Sequence, residues 1–65
     1  MKHVCYEVSN TTAKYLGIFE SEEPLEAGAG YMRFGSQNYS IDKASMKHHK
    51  GLDYMLVVMK KVDNV

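Results

Sequence analysis

The sequence predicts an all-β fold: a small antiparallel meander of five strands, forming a curved sheet or a small barrel, with at most one short helical turn. Three observations lead there. Tyr54, Met55, Leu56, Val57, Val58 and Met59 make the only run of six consecutive apolar residues, and it stops at Lys60-Lys61. Elsewhere apolar and polar side chains alternate with a period of two, as they do along a strand with one covered face. Turn-forming residues recur at short intervals, which leaves no room for a long helix.

The run at 54–59 is the expected centre of the fold. Its tyrosine and the Val57-Val58 pair favour extended backbone. A strand that is apolar at every position is expected to be buried on both faces. Leu52, Met55, Leu56 and Met59 also fit helical spacing, but six residues between a turn signal and a lysine pair suit a strand better.

The other elements follow in order. Val4, Tyr6 and Val8 alternate with His3, Cys5 and Glu7, which predicts a first strand whose apolar face carries Val4, Tyr6 and Val8. Ser9-Asn10-Thr11-Thr12 is a polar turn. Residues 13–20 form a second strand in a hairpin with the first, and Gly17 marks a bulge or a close backbone crossing. Residues 21–30 hold the only proline, three glutamates and two glycines, and read as a connector with at most one helical turn. Tyr31-Met32-Arg33-Phe34 is a short third strand, and Gly35-Ser36-Gln37-Asn38 a turn. A fourth strand starts at Tyr39 with Tyr39 and Ile41 inward. Its phase changes near Lys43, so that Ala44 and Met46 become the apolar pair, which calls for a bulge. His48-His49-Lys50-Gly51 turns the chain into the last strand, and the tail at 63–65 is expected to fray.

Sixty-five residues make a single domain, 1–65, too small to bury much of its surface unaided. The one cysteine, Cys5, cannot form a bridge within the chain. Self-association is therefore the expected aid, with the apolar C-terminal strand as its place and sheet edges paired across a two-fold axis. Eight Lys plus Arg balance eight Asp plus Glu, so the net charge offers no general attraction to nucleic acid or membrane. The balance conceals a split: residues 1–33 sum to −2 and residues 34–65 to +2. No apolar stretch approaches the roughly 20 residues needed to cross a bilayer, and the first residues lack a signal-peptide core. The expected location is the cytoplasm, with no membrane partner.

Pro24, Gly28, Phe34, Tyr39 and Ile41 lie in a pattern of proline, glycine, short strand, turn and a Tyr-x-aliphatic pair. Over about 20 residues this resembles small SH3-like or barrel-like β proteins encoded by bacterial phages and mobile elements. Ala29 and Gly30 depart from it where a polar residue usually follows the glycine, and Ile41 stands in place of valine. The resemblance implies a small β fold and a role directed at a host factor.

No constellation argues for catalysis. His3 and Cys5 share a strand face, where a histidine could activate a thiol, but no third group orients them. His48 and His49 point opposite ways on extended backbone, and with His3 and Cys5 they match no zinc spacing. Gly28-Ala29-Gly30 begins like a dinucleotide loop, but Arg33 stands at the third glycine position and no helix follows. No enzyme activity, cofactor or metal is expected.

What remains is binding. Five tyrosines and four internal methionines supply adaptable apolar surface. The expected function is a non-enzymatic protein-binding module, acting as a homodimer on another protein. Its expected contacts are Tyr31, Arg33, Phe34 and Tyr39, with Glu22, Glu23 and Glu26 on the rim. The alternative is a small barrel that binds single-stranded nucleic acid through Lys43, Lys47, Lys50, Lys60 and Lys61, with Tyr31, Phe34 and Tyr39 as stacking platforms.

Overall fold

A computed structural model describes residues 1–28 and 30–62. The expected fraying at 63–65 lies outside the described residues. Five strands form one sheet: β1 (Lys2–Val8), β2 (Ala13–Glu20), β3 (Tyr31–Phe34), β4 (Gln37–His49) and β5 (Leu52–Val62). Their order across the sheet is β2-β1-β5-β4-β3. No helix occurs among the described residues, so none there is long and apolar enough to cross a membrane. The connector at 21–28 contains only bends and a turn.

The sheet is mixed, which corrects the expectation of a purely antiparallel meander. β1–β2, β3–β4 and β4–β5 are antiparallel, whereas β1 and β5 are parallel. The reason is parity. In an up-and-down chain of five strands the first and last run the same way, so curling the sheet until they meet must create one parallel pair. The other departure is at β2 and β3, which share no ladder. They are joined by the long Pro24-containing connector instead of a tight turn, and this leaves a seam in a sheet that otherwise nearly closes into a barrel.

One row of small side chains permits the curl. Across four adjacent strands, Gly17 lies opposite Cys5, Cys5 opposite Val57, and Val57 opposite Ala44. Small interior residues let a sheet bend sharply without crowding its concave side. The ring of Phe34 then reaches across the seam to Gly17, where an added Cβ would meet Phe34 Cε1 at 3.2 Å. Two bulges increase the coiling. Leu16 is the extra residue in β2, where the register shifts opposite Cys5 and Tyr6. Asp42 is the extra residue in β4, between Ile41 and Lys43, as the change of phase there requires.

The core is Cys5, Tyr39, Ile41, Met55, Val57 and Met59, with His3 buried beside them. Two sequence expectations are overturned here. The inward face of β1 is His3 and Cys5, while Val4 and Tyr6 are only partly covered and Val8 is exposed. The run at 54–59 is buried on one face only, because Tyr54, Leu56 and Val58 are half-buried on the other. The cause is the same in both strands. A single curled sheet has one interior, and no second layer covers its convex side.

The turns are tighter than expected. Gln37 and Asn38 belong to β4, and so do His48 and His49. Lys50 and Gly51 alone connect β4 to β5, with φ of 50° and 79°. Positive φ at both positions is the type I′ geometry that matches the twist of a two-residue hairpin. β4 is thirteen residues long, which spans roughly 40 Å in extended form. The whole molecule measures 41 × 27 × 19 Å, so the β4–β5 hairpin sets its long axis.

The Phe34–Gly17 contact predicts a measurable coupling. Gly17→Val should lower stability by about 1–3 kcal/mol through overpacking. In the Phe34→Ala background the same change should cost clearly less in chemical denaturation. Equal costs in the two backgrounds would show that this contact does not hold the seam.

Candidate functional site

His3 is a buried anchor. Its ring is fully buried and stacks on Phe19, with centroids 4.6 Å apart and planes 7° from parallel. The Leu25 backbone N–H donates to Nε2 at 3.1 Å, so that nitrogen is an acceptor. The proton then sits on Nδ1, which donates to the Met1 carbonyl at 3.0 Å. The Met1 ammonium in turn donates to the Ser21 carbonyl and lies 3.3 Å from a Glu20 carboxylate oxygen. The Ser21 N–H donates back to the Met1 carbonyl at 3.0 Å. The buried imidazole thus ties the N-terminus to Leu25 near the middle of the acidic connector, and Met1 itself holds the connector's start at Ser21.

Cys5 shares the inward face with His3, as the spacing of two requires, and is also fully buried. Both imidazole nitrogens are already engaged, so neither is free to take the thiol proton. Burial pushes the Cys5 thiol up to about 11, which keeps it protonated at neutral pH.

Tyr39 donates to Glu7 Oε1 at 3.3 Å inside the barrel. Burial holds its phenol above the usual range, and the Glu7 charge and the hydrogen bond to Glu7 add to that. His48 lies opposite Asp53 across the hairpin, with Nδ1 2.6 Å from a carboxylate oxygen, and both side chains are exposed. Among the described residues, no three His, Cys, Asp or Glu side chains converge as metal ligands.

The expected contact residues divide between the two faces of the sheet. Tyr31 is 73% exposed and Arg33 is exposed. The Arg33 Nε donates to the Gly35 carbonyl at 3.2 Å. Phe34 and Tyr39 point inward and meet edge to face at 5.9 Å. Tyr39 is a core residue, and Phe34 is half-buried against the core. Glu22, Glu23 and Glu26 are exposed on the connector. Among the lysines, Lys43 and Lys60 share the outward face of the sheet with Val58, and Lys47 with Tyr54, as their pairings and the alternation of the strands dictate. Lys50 occupies the hairpin turn, and Lys61, opposite Tyr39, lies on the other face.

The surface that sequence reasoning missed is that outward face. Val4 lies between Ile18 and Leu56, Tyr6 between Tyr15 and Val58, and Lys2 between Glu20 and Tyr54. Together with Leu52 they form an apolar band across β2, β1 and β5. Ile18 is 51% exposed and Leu52 66%. Tyr6 and Tyr15 pack edge to face at 5.6 Å, which fixes one end of the band. At the other end lies a groove of about 510 Å³, floored by Val4, Ile18, Leu52 and Tyr54 and rimmed by Lys2, Glu20, His49 and Asp53. The signal was in the sequence. A six-residue run apolar at every position, placed in a one-layer sheet, must present half of its side chains outward.

No family model, no curated protein and no solved structure matches this chain.

Two outcomes test the interior. His3→Phe keeps the ring stack but leaves the Leu25 N–H without its acceptor, which should cost about 1–3 kcal/mol and speed Leu25 amide exchange. The thiol of Cys5 has a higher proton affinity folded than unfolded. Its contribution is therefore complete below pH 9 and is lost as the pH rises from about 9 to about 11. A denaturation series over that range should fall more steeply for the parent protein than for Cys5→Ala.

Proposed function

We propose that this chain is a non-enzymatic protein-binding module whose contact surface is the outward face of β2, β1 and β5. The observation that carries this reading is the apolar band of Val4, Tyr6, Tyr15, Ile18, Leu52, Tyr54, Leu56 and Val58, half-covered or exposed on a chain of 65 residues. A contiguous apolar surface with a polar rim is characteristic of interaction sites. The tyrosines add contact area at little entropic cost, and their hydroxyls tolerate a wet periphery. Lys2, Lys43, Lys47 and Lys60 border the band against two acids, Glu20 and Asp53, so an apolar partner surface with acidic edges fits it best.

The resemblance of 24–41 to small barrels from phages and mobile elements makes a host protein the natural class of partner. A homodimer is the other occupant of this surface. It would pair the two outward faces rather than the C-terminal strands edge to edge, because β5 already has β1 on one side and β4 on the other.

A second reading draws on the same face. Lys2, Lys43, Lys47 and Lys60 flank Tyr6, Tyr15 and Tyr54, an arrangement of cations and aromatic rings suited to single-stranded nucleic acid. The aliphatic floor of the groove and the balanced net charge favour protein.

The test compares the parent protein with an Ile18→Glu, Leu52→Glu double variant. Both changes are at exposed positions, so thermal midpoints should agree within a few degrees. The immobilised parent should capture a defined protein from a cell lysate that the variant does not. Alternatively, light scattering should show a dimer that the variant converts to a monomer. Identical behaviour of the two proteins in both experiments would refute the reading. In the nucleic-acid case, a gel shift with short single strands should appear at low salt and weaken steeply as salt is added.

A further inference from the structure

β4 continues well past the strand that covers its outer edge. β3 pairs only with Gln37, Asn38, Tyr39 and Ser40, and the Gly28 N–H extends that cover by one bond, to the Ile41 carbonyl at 3.0 Å. From Asp42 to His49 β4 has, among the described residues, a neighbour on one side only, β5. The hairpin geometry tells which backbone groups are left over. His49 and Leu52 flank a two-residue turn and therefore form a hydrogen-bonded pair. Lys47, Ser45 and Lys43 follow in the same phase and bond to β5. The N–H and C=O groups of Ala44, Met46 and His48 consequently point away from the sheet.

The side chains along this edge sort by face. On the outward face stand Lys43, Ser45 and Lys47; on the inward face stand Ala44, partly buried against the core, then Met46 and His48. Met46 is 52% exposed although it packs beside the buried Met55. From Asp42 to His49 there are two lysines, two histidines and one acid, Asp42, and Lys50 follows in the turn. A free edge is a template for another strand, and this one has a defined chemistry. It is cationic on one face, apolar on the other, and long enough for a strand of ordinary length.

We propose that this edge is a docking site for an extended acidic segment of a partner protein, which adds to the sheet as a strand beside β4. The fit fixes the pattern of the segment: acidic, apolar, polar, apolar, acidic. The two acids lie opposite Lys43 and Lys47 on the outward face. The two apolar residues cover Ala44 and Met46 on the inward face. Main-chain bonds to Ala44, Met46 and His48 supply affinity, and the alternating side chains supply selectivity. Pairing of this edge with a second copy of itself is disfavoured, because an antiparallel two-fold arrangement would bring basic residues of the two copies together. The edge shares Lys43 and Lys47 with the rim of the apolar band, but its main-chain groups at Ala44, Met46 and His48 belong to it alone, so amide shifts tell the two surfaces apart.

The experiment titrates the full chain with the synthetic peptide acetyl-Thr-Glu-Val-Ser-Val-Glu-Thr-amide and follows backbone amides by NMR. Shifts and slowed hydrogen exchange should be confined to Ala44, Met46, His48 and their neighbours. Affinity should fall with added salt, and a peptide with lysine in place of both glutamates should bind roughly two- to thirty-fold more weakly, as two lost cross-strand charge pairs imply. Met46→Pro removes one outward N–H without touching a bond to β5, and should weaken binding to a similar degree. Lys43→Glu with Lys47→Glu should reverse the preference between the two peptides, and serves as the check if the proline variant fails to fold. The proposal is overturned if no amide shifts at millimolar peptide. It is overturned equally if the two peptides bind alike, or if the shifts map to Val4, Ile18 and Leu52 instead.

Discussion

The curvature of this sheet rests on the row Gly17, Cys5, Val57 and Ala44, which crosses four strands on the concave side. A larger side chain in that row would hold the strands apart, since interior packing tolerates little extra volume. With the row small, the sheet coils far enough for β1 and β5 to lie side by side and for Phe34 to reach Gly17. The parallel β1–β5 ladder, the seam between β2 and β3, and the identity of the buried face all follow from that one bend.

The bend also decides what the protein offers to others. A coiled single sheet has one covered side, yet β5 is apolar on both. Met55, Val57 and Met59 fill the interior, and Tyr54, Leu56 and Val58 are left half-exposed beside Val4, Tyr6 and Ile18. In a larger protein a helix or second sheet would cover such a face. Here another molecule is the remaining means of covering it. The overhang of β4 adds a second incomplete surface, unsatisfied in hydrogen bonds rather than in apolar contact. Both surfaces adjoin the hairpin that forms the long axis of the molecule, and the lysines of β4 border both.

His3 shows how a small barrel accommodates a polar group. Full burial of an imidazole is tolerable because each ring nitrogen has a partner and the ring face lies against Phe19. In return the chain gains an internal tether for its N-terminus and for Leu25 in the connector. The exposed glutamates at 22, 23 and 26 are therefore carried on a segment that is pinned at its start and near its middle. They lie in the acidic half of the chain, while the basic residues lie mostly in the hairpin, so a neutral protein presents two oppositely charged regions.

Much of the local structure was legible in the sequence. Alternation marked the strands, Gly17 marked a close approach, the phase change near Lys43 marked the bulge at Asp42, and the inward placement of Tyr39 and Ile41 followed from their spacing. What failed was the facing of β1 and the expectation that β5 is covered on both sides. Val4 and Tyr6 are the more apolar set in β1, yet His3 and Cys5 are inside: Cys5 is small and faces Gly17 and Val57, and His3 has both ring nitrogens partnered. Phe34 and Tyr39 looked like contact residues for the same reason that they make good core, being large and aromatic. Period and turn chemistry are properties of neighbouring residues, so the sequence alone determined that there are five strands and roughly where they bend. Which strands meet, which side is enclosed and which edge is left open depend on pairings between residues far apart in the chain, and only the closure of the sheet decided them.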